Sequence, residues 1–113
     1  MLIYKICSRG EWARAVNEQV YTGSARDRED GFIHFSNAEQ VSGTLARYYA
    51  GQYDLLLAAV EADPLGDALK YEPSRDGALF PHLYGALPLG FVEWVRPIER
   101  KPDGSFVLPQ ECA

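Results

Sequence analysis

Leu55-Leu56-Leu57-Ala58-Ala59-Val60, held between Asp54 and Glu61, is the stretch on which the fold turns. Six consecutive apolar residues are short for an ordinary helix and far too short to cross a bilayer. They fit a strand buried on both faces, which predicts that residues 54–61 lie near the centre of a sheet.

Upstream of it, residues 2–7 read as a first strand running straight from Met1. Ser8 and Glu11 then form a capping box, because the Ser8 hydroxyl accepts from the backbone three residues on and Glu11 reaches back. Trp12, Ala15 and Val16 share one face of the helix that follows. Residues 17–30 are polar, contain Gly23 and end in Arg26-Asp27-Arg28-Glu29-Asp30, so they read as a loop. Gly31-Phe32-Ile33-His34-Phe35 reads as a second strand. Ser36 and Glu39 repeat the capping pattern and predict a second helix over 37–49. Its inward face would be Ala38, Val41, Leu45, Tyr48 and Tyr49, with Ile33 and Phe35 packed beneath it and Gly51 as its stop.

Downstream, residues 64–68 read as a turn or a single helical turn and 69–72 as a short strand ended by Pro73. Residues 79–85 form an aromatic segment interrupted by Pro81, which predicts an irregular stretch or a sheet edge. Residues 87–90 read as a break and 91–99 as a strand. Pro102-Asp103-Gly104 signals a hairpin into residues 105–108. Helices early and strands late predict an α+β fold: a mixed, largely antiparallel sheet with two N-terminal helices, in one domain spanning 1–113.

Composition agrees with such a domain. The chain has 113 residues, of which 47% are hydrophobic and 24% charged. Eleven basic residues stand against 16 acidic ones, a net charge of -5. With no basic stripe to neutralise phosphates, general nucleic-acid binding is not expected. No basic n-region or long apolar run opens the chain, so no membrane partner is expected and the cytoplasm is the expected compartment. Cys7 and Cys112 are too few for a disulfide framework and read as a buried thiol and a tail thiol.

Two segments carry the candidate chemistry. His34 sits beside Phe32 on one strand face, next to a helix start that attracts anions. Its competing reading is a ring satisfied by a backbone carbonyl. In Phe80-Pro81-His82-Leu83-Tyr84-Gly85, Pro81 stiffens the backbone and Gly85 permits a tight turn, so His82 and Tyr84 can converge on one ligand. The competing reading is a plug closing one end of the core. Glu72, at a strand end, is a third candidate if it lies near a histidine; otherwise it is a solvated edge charge. Arg26 and Arg28 are candidate anion clamps. His34, His82 and Glu72 lack ligand spacing on a helix, so no metal site is expected. No Gly-rich phosphate loop and no nucleophile elbow is present.

The two segments, at this separation in a chain of this length, resemble the bacterial domain-of-unknown-function family nine-fifty-two. The resemblance runs from Ile3-Tyr4-Lys5-Ile6 to the Asp103-Gly104 turn. That family is similar in fold to the ADP-ribosyltransferases, whose split mixed sheet and surrounding helices form a cleft for NAD. The resemblance implies an ADP-ribosylation-like fold, with His34 on the strand that meets the adenosine-side ribose and Ser36 just after it. It further implies Tyr48 or Tyr49 as the ring stacked on nicotinamide and Glu72 as the late-strand carboxylate. Two functions follow as expectations. One is a transferase-like enzyme acting on NAD or a related phosphorylated nucleoside, with His34, Glu72 and His82 catalytic and Ser36, Tyr48, Tyr84, Gly85 and Arg28 binding ligand. The other is a non-enzymatic module that binds a small metabolite or a protein through the same cleft.

Overall fold

The computed structural model describes residues 1–112, with all side chains except those of Arg75 and Cys112. The tail thiol expected at Cys112 therefore lies outside the described residues. Among the described residues nine strands form three antiparallel sheets. Strands β1 (Leu2–Ser8), β4 (Leu55–Glu61), β8 (Val92–Arg100) and β9 (Phe106–Val107) form a four-stranded sheet in that order. Strands β3 (Ile33–His34), β6 (Leu79–Leu83) and β5 (Leu69–Pro73) form a three-stranded sheet in that order. Strands β2 (Val20–Tyr21) and β7 (Leu87–Pro88) pair alone. A bridge between Tyr4 and Ser36 ties the two larger sheets together at the β1 edge. Every pairing described is antiparallel, where a mixed sheet was expected.

The apolar stretch of β4 lies between β1 and β8, as its composition requires. Its alternate residues serve two cores. Leu56 and Val60 join Ile3, Cys7, Ala15, Tyr21, Ile33, Phe35, Leu83 and Leu87 on one face. Leu55, Leu57 and Ala59 join Tyr4, Ile6, Val41, Leu45 and Ile98 on the other. Ile33 and Phe35 thus belong to the first core, and do not pack beneath the second predicted helix.

Among the described residues three α-helices are present where two were expected. Helix α1 (Arg9–Glu18) starts with the Ser8–Glu11 capping box, both halves formed. Its Ala15 is buried, whereas Val16 is exposed. Helix α2 (Ala25–Asp30) occupies the predicted loop. Ser24 caps it and Asp27 completes a second capping box, so the charge cluster is a helix start with its acid in the first turn. Helix α3 spans only Val41–Tyr48 and begins at Gln40. Ser36 is not its cap. The reciprocal pair here is Asn37 and Gln40, each side chain accepting from the other's backbone N–H. Ala38, expected inward, is exposed, while Val41 and Leu45 are buried.

Pro81 lies in the middle strand of its sheet and not at an edge. Its carbonyl accepts from Phe35 N–H at 2.9 Å, so its backbone polar groups face β3. The ladder to β3 ends at His34, so the missing donor interrupts no bond to β5. Residues 87–90, read as a break, form β7 and the start of a 3-10 turn at Leu89–Phe91, so the strand expected from Phe91 begins at Val92. No helix among the described residues is long and apolar enough to cross a membrane.

Leu57 is fully buried in the central strand, so Leu57→Ala removes packing that the sheet cannot refill. The expected loss is about 2–5 kcal/mol, read by equilibrium urea unfolding. A loss below that range would contradict the central placement of β4.

Candidate functional site

Alternation along β1 puts Lys5 on the inward face between Ile3 and Cys7. A lysine there cannot reach water, and it is only 4% exposed. Its ammonium contacts both oxygens of Asp27, at 3.1 and 2.8 Å, and donates to the His34 carbonyl at 3.0 Å. Asp27, 2% exposed, also accepts from the backbone N–H of Ser24 and of His34 and binds His34 Nδ1. One carboxylate therefore joins β1, α2 and β3. Burial works to raise the Asp27 pKa, but the His34 hydrogen bond and the Lys5 charge outweigh it and hold the carboxyl well below the usual range. Gly23 makes the close approach possible. Its φ is +105°, and a Cβ there would stand 2.8 Å from Asp27 Cβ.

His34 and His82 are register partners across β3 and β6, so their rings share one face of the three-stranded sheet. The ring centroids lie 5.5 Å apart, edge to face. Phe32 stacks on His82 at 4.1 Å and also contacts His34 and Tyr84. The two imidazoles are held differently. His34 meets Asp27 through Nδ1 and Asp30 through Nε2, the latter at 2.9 Å. A neutral ring could donate to only one of these carboxylates. His82 has one carboxylate, Glu72, at 2.8 Å from Nδ1, and its Nε2 meets no described protein group. Glu72 also accepts from the Tyr84 hydroxyl at 2.8 Å. Its pKa is lowered by the His82 hydrogen bond first and by Tyr84 second, while that of Tyr84 is raised by the same bond to Glu72.

A cleft opens beside this pair, between β1, the two histidines and α3. Arg26, His34, Ser36, Thr44, Tyr48, Tyr49 and His82 line it, with Lys5 at its floor. It is narrow, with about 30 Å³ of cavity. Among the described residues no aspartate or glutamate lines it, although the chain carries 16 acidic residues. Ser36 is 3% exposed, and its hydroxyl lies 3.1 Å from that of Thr44. Among the described residues the arginine lining the cleft is Arg26, whose guanidinium stacks over the Tyr48 ring at 4.1 Å.

The remaining candidates lie elsewhere. Tyr84 and Glu72 stand behind His82, outside the cleft lining. Arg28 donates to the Gly23 carbonyl at 2.7 Å and, with Gly85, lines a separate shallow surface. Cys7 is buried, and burial pushes its thiol up to about 12, which removes it as a nucleophile at neutral pH. Sequence reasoning missed Lys5 and Asp27. Both left a signal: a lysine at an inward strand position, and a second Ser-x-x-Asp capping pattern at Ser24.

Residues 6–95 match the family described as "Protein of unknown function (DUF952)". Among solved structures, the crystal structure of protein CC0527 from Caulobacter crescentus is 46% identical, with a TM-score of 0.94 over 99% of this chain and 98% of that one. The crystal structure of a double mutant of CC0527 gives the same values. A solution NMR structure of CC0527 is 49% identical, with a TM-score of 0.83 over 92% of this chain and 90% of that one. No curated protein matches the chain.

Asp27→Asn leaves Lys5 buried without its counter-charge, at an expected cost of about 3–5 kcal/mol in urea unfolding at neutral pH. The wild-type pH dependence has a defined sign. Asp27 ionises in the folded chain below its ordinary value of 3.8, so its contribution is complete above that value and is lost as pH falls through the folded pKa. Stability should therefore decline below about pH 4, and Asp27→Asn should flatten that limb. An unchanged acid limb in the variant would show that Asp27 is not the group responsible.

Proposed function

We propose, from the premise that this chain belongs to the DUF952 family of proteins of unknown function, that its cleft binds a phosphorylated nucleoside of the NAD kind and catalyses a transfer reaction on it. The observation that carries this reading is the pairing of His82 with Glu72. A carboxylate on Nδ1 fixes the ring and its tautomer, and leaves Nε2 as the one imidazole nitrogen of the pair without a partner among the described residues. This is the arrangement of a general base. As an acceptor hydroxyl bonds the ribose carbon, its proton passes to Nε2. The leaving base departs with the electrons of the broken glycosidic bond, and Glu72 stabilises the imidazolium.

The other residues take supporting parts. His34, clamped by Asp27 and Asp30, holds the shape of the site and sets the edge-on position of His82. Ser36 and Thr44 supply hydroxyls to the ligand's sugar. Tyr48 supplies a ring for the base. The acid-free lining of a chain with net charge -5 supports an anionic ligand.

A second reading draws on the His34 clamp, which leaves that ring no free nitrogen, and on the narrowness of the cleft. It makes the chain a non-enzymatic module that binds a small metabolite.

Thermal-shift titration with NAD, ADP-ribose and nucleoside phosphates separates these readings. A ligand at about 100 times its Kd stabilises by about 2.7 kcal/mol, a clear rise in Tm. Glu72→Gln and His82→Gln should leave that rise in place and lower turnover by about 10²–10⁴. Binding without turnover, unchanged in both variants, selects the module. No rise with any ligand at millimolar concentration refutes the nucleoside reading.

A further inference from the structure

The Arg26 guanidinium is unlike the other described cations near the cleft. Lys5 is committed to Asp27 and to the His34 carbonyl, and Arg28 to the Gly23 carbonyl. Arg26 is half-buried, yet it makes no hydrogen bond or ion pair with any described residue. Its ring contact is the face of Tyr48. Two carboxylates of its own helix, Asp27 and Asp30, both turn to His34. A guanidinium has five donors in a planar fork that matches phosphate oxygens two at a time. Here that fork is held at the wall of a cleft whose described lining contains no acid.

The stack of Arg26 on Tyr48 also divides space. On one side lies the narrow cleft, whose cavity of about 30 Å³ holds little more than water. On the other lies a hollow of about 380 Å³, lined by Ser8, Glu11, Ser24, Gln52 and Leu55 among others, with Glu11 held to the Ser8 backbone in the α1 capping box. Arg26, Tyr48 and Tyr49 belong to both linings. These side chains form the partition. Arg26 is the charged member of the three, and its stack on Tyr48 stands where the two spaces meet.

We propose that Arg26 is the phosphate-recognising residue of this site, and that its stack on Tyr48 is a closed partition opened by the ligand's phosphate. The proposal rests on the phosphorylated-nucleoside reading and refines it. The ligand is a nucleoside diphosphate whose phosphates lie at Arg26, whose base takes the Tyr48 face that the guanidinium vacates, and whose reacting end reaches His82. A guanidinium and a base compete for the same ring face, so the charge of the phosphate is what selects the open arrangement.

Isothermal titration of the full chain with ADP-ribose, inorganic pyrophosphate and adenosine tests this. Arg26→Gln should weaken ADP-ribose and pyrophosphate by about ten-fold or more. Adenosine should bind the variant as well as it binds wild type, or better, because the Tyr48 face is uncovered. Arg26→Lys should recover part of the loss. Equal weakening of all three ligands, or of none, overturns the proposal while leaving the nucleoside reading to stand on wild-type ADP-ribose binding. Arg26-dependent binding of pyrophosphate without ADP-ribose upholds phosphate recognition and removes the nucleoside. Wild type that binds none of the three removes both.

Discussion

A single carboxylate organises this molecule. Lys5 points into the core because strand alternation leaves it no other direction, and a buried ammonium without a partner would cost several kcal/mol. Asp27 supplies the partner, and its acceptor capacity is then filled by Lys5, the His34 ring, and the backbone N–H groups of Ser24 and His34. The consequence is geometric. Helix α2 has six residues, too few to hold itself together by its own hydrogen bonds. Its position is set by the Asp27 contacts and by the Ser24 cap. Everything α2 brings to the cleft, Arg26 above all, inherits that position.

The second constraint is register. His34 opposes His82, and Lys70 opposes His82 from the other side, so the face carrying the two rings is fixed by the pairing of β3, β6 and β5. A slip of one residue would turn both imagined site residues into the first core and bring Ile33 and Leu83 out. Those two side chains are 2% exposed, and their burial is what holds the rings outward. The apolar core on one face of this small sheet thus specifies the polar cluster on its other face.

Much of the fold was legible because its signals are local. The Ser8 capping box, the doubly buried β4 and the hairpin at Pro102-Asp103-Gly104 each depend on residues within one turn or one strand. The misreadings also have local causes. Ser24-x-x-Asp27 carries the same capping signature as Ser8-x-x-Glu11, but a five-residue charge cluster with no apolar stripe hid the helix. Ser36-x-x-Glu39 and Asn37-x-x-Gln40 are offset by one residue, and the sequence does not rank them. Ser36 is buried by its bridge to Tyr4, a contact 32 residues away that no periodicity reports. Pro81 argued for an edge, yet its lost donor falls where the β3 ladder has already ended. Of the site, the convergence of His34, His82, Tyr84 and Glu72 was readable as a hypothesis from two aromatic segments. The Lys5–Asp27 pair was readable only as an anomaly, a charge at an inward position, without its partner.

The contrast between the two histidines shows why residue type alone does not assign a role. They stand 5.5 Å apart on the same sheet face, in contact with the same phenylalanine. Helix α2 offers His34 two carboxylates, one for each nitrogen, and so closes it. Strand β5 offers His82 one, and so leaves it a nitrogen to use. The Asp30 contact is the weaker half of the His34 clamp, since Asp30 is 43% exposed and an exposed pair contributes little. A ligand that drew Arg26 away would pull on the same short helix that carries Asp30. Both His34 and Arg26 thus depend on one helix of six residues, anchored at Asp27.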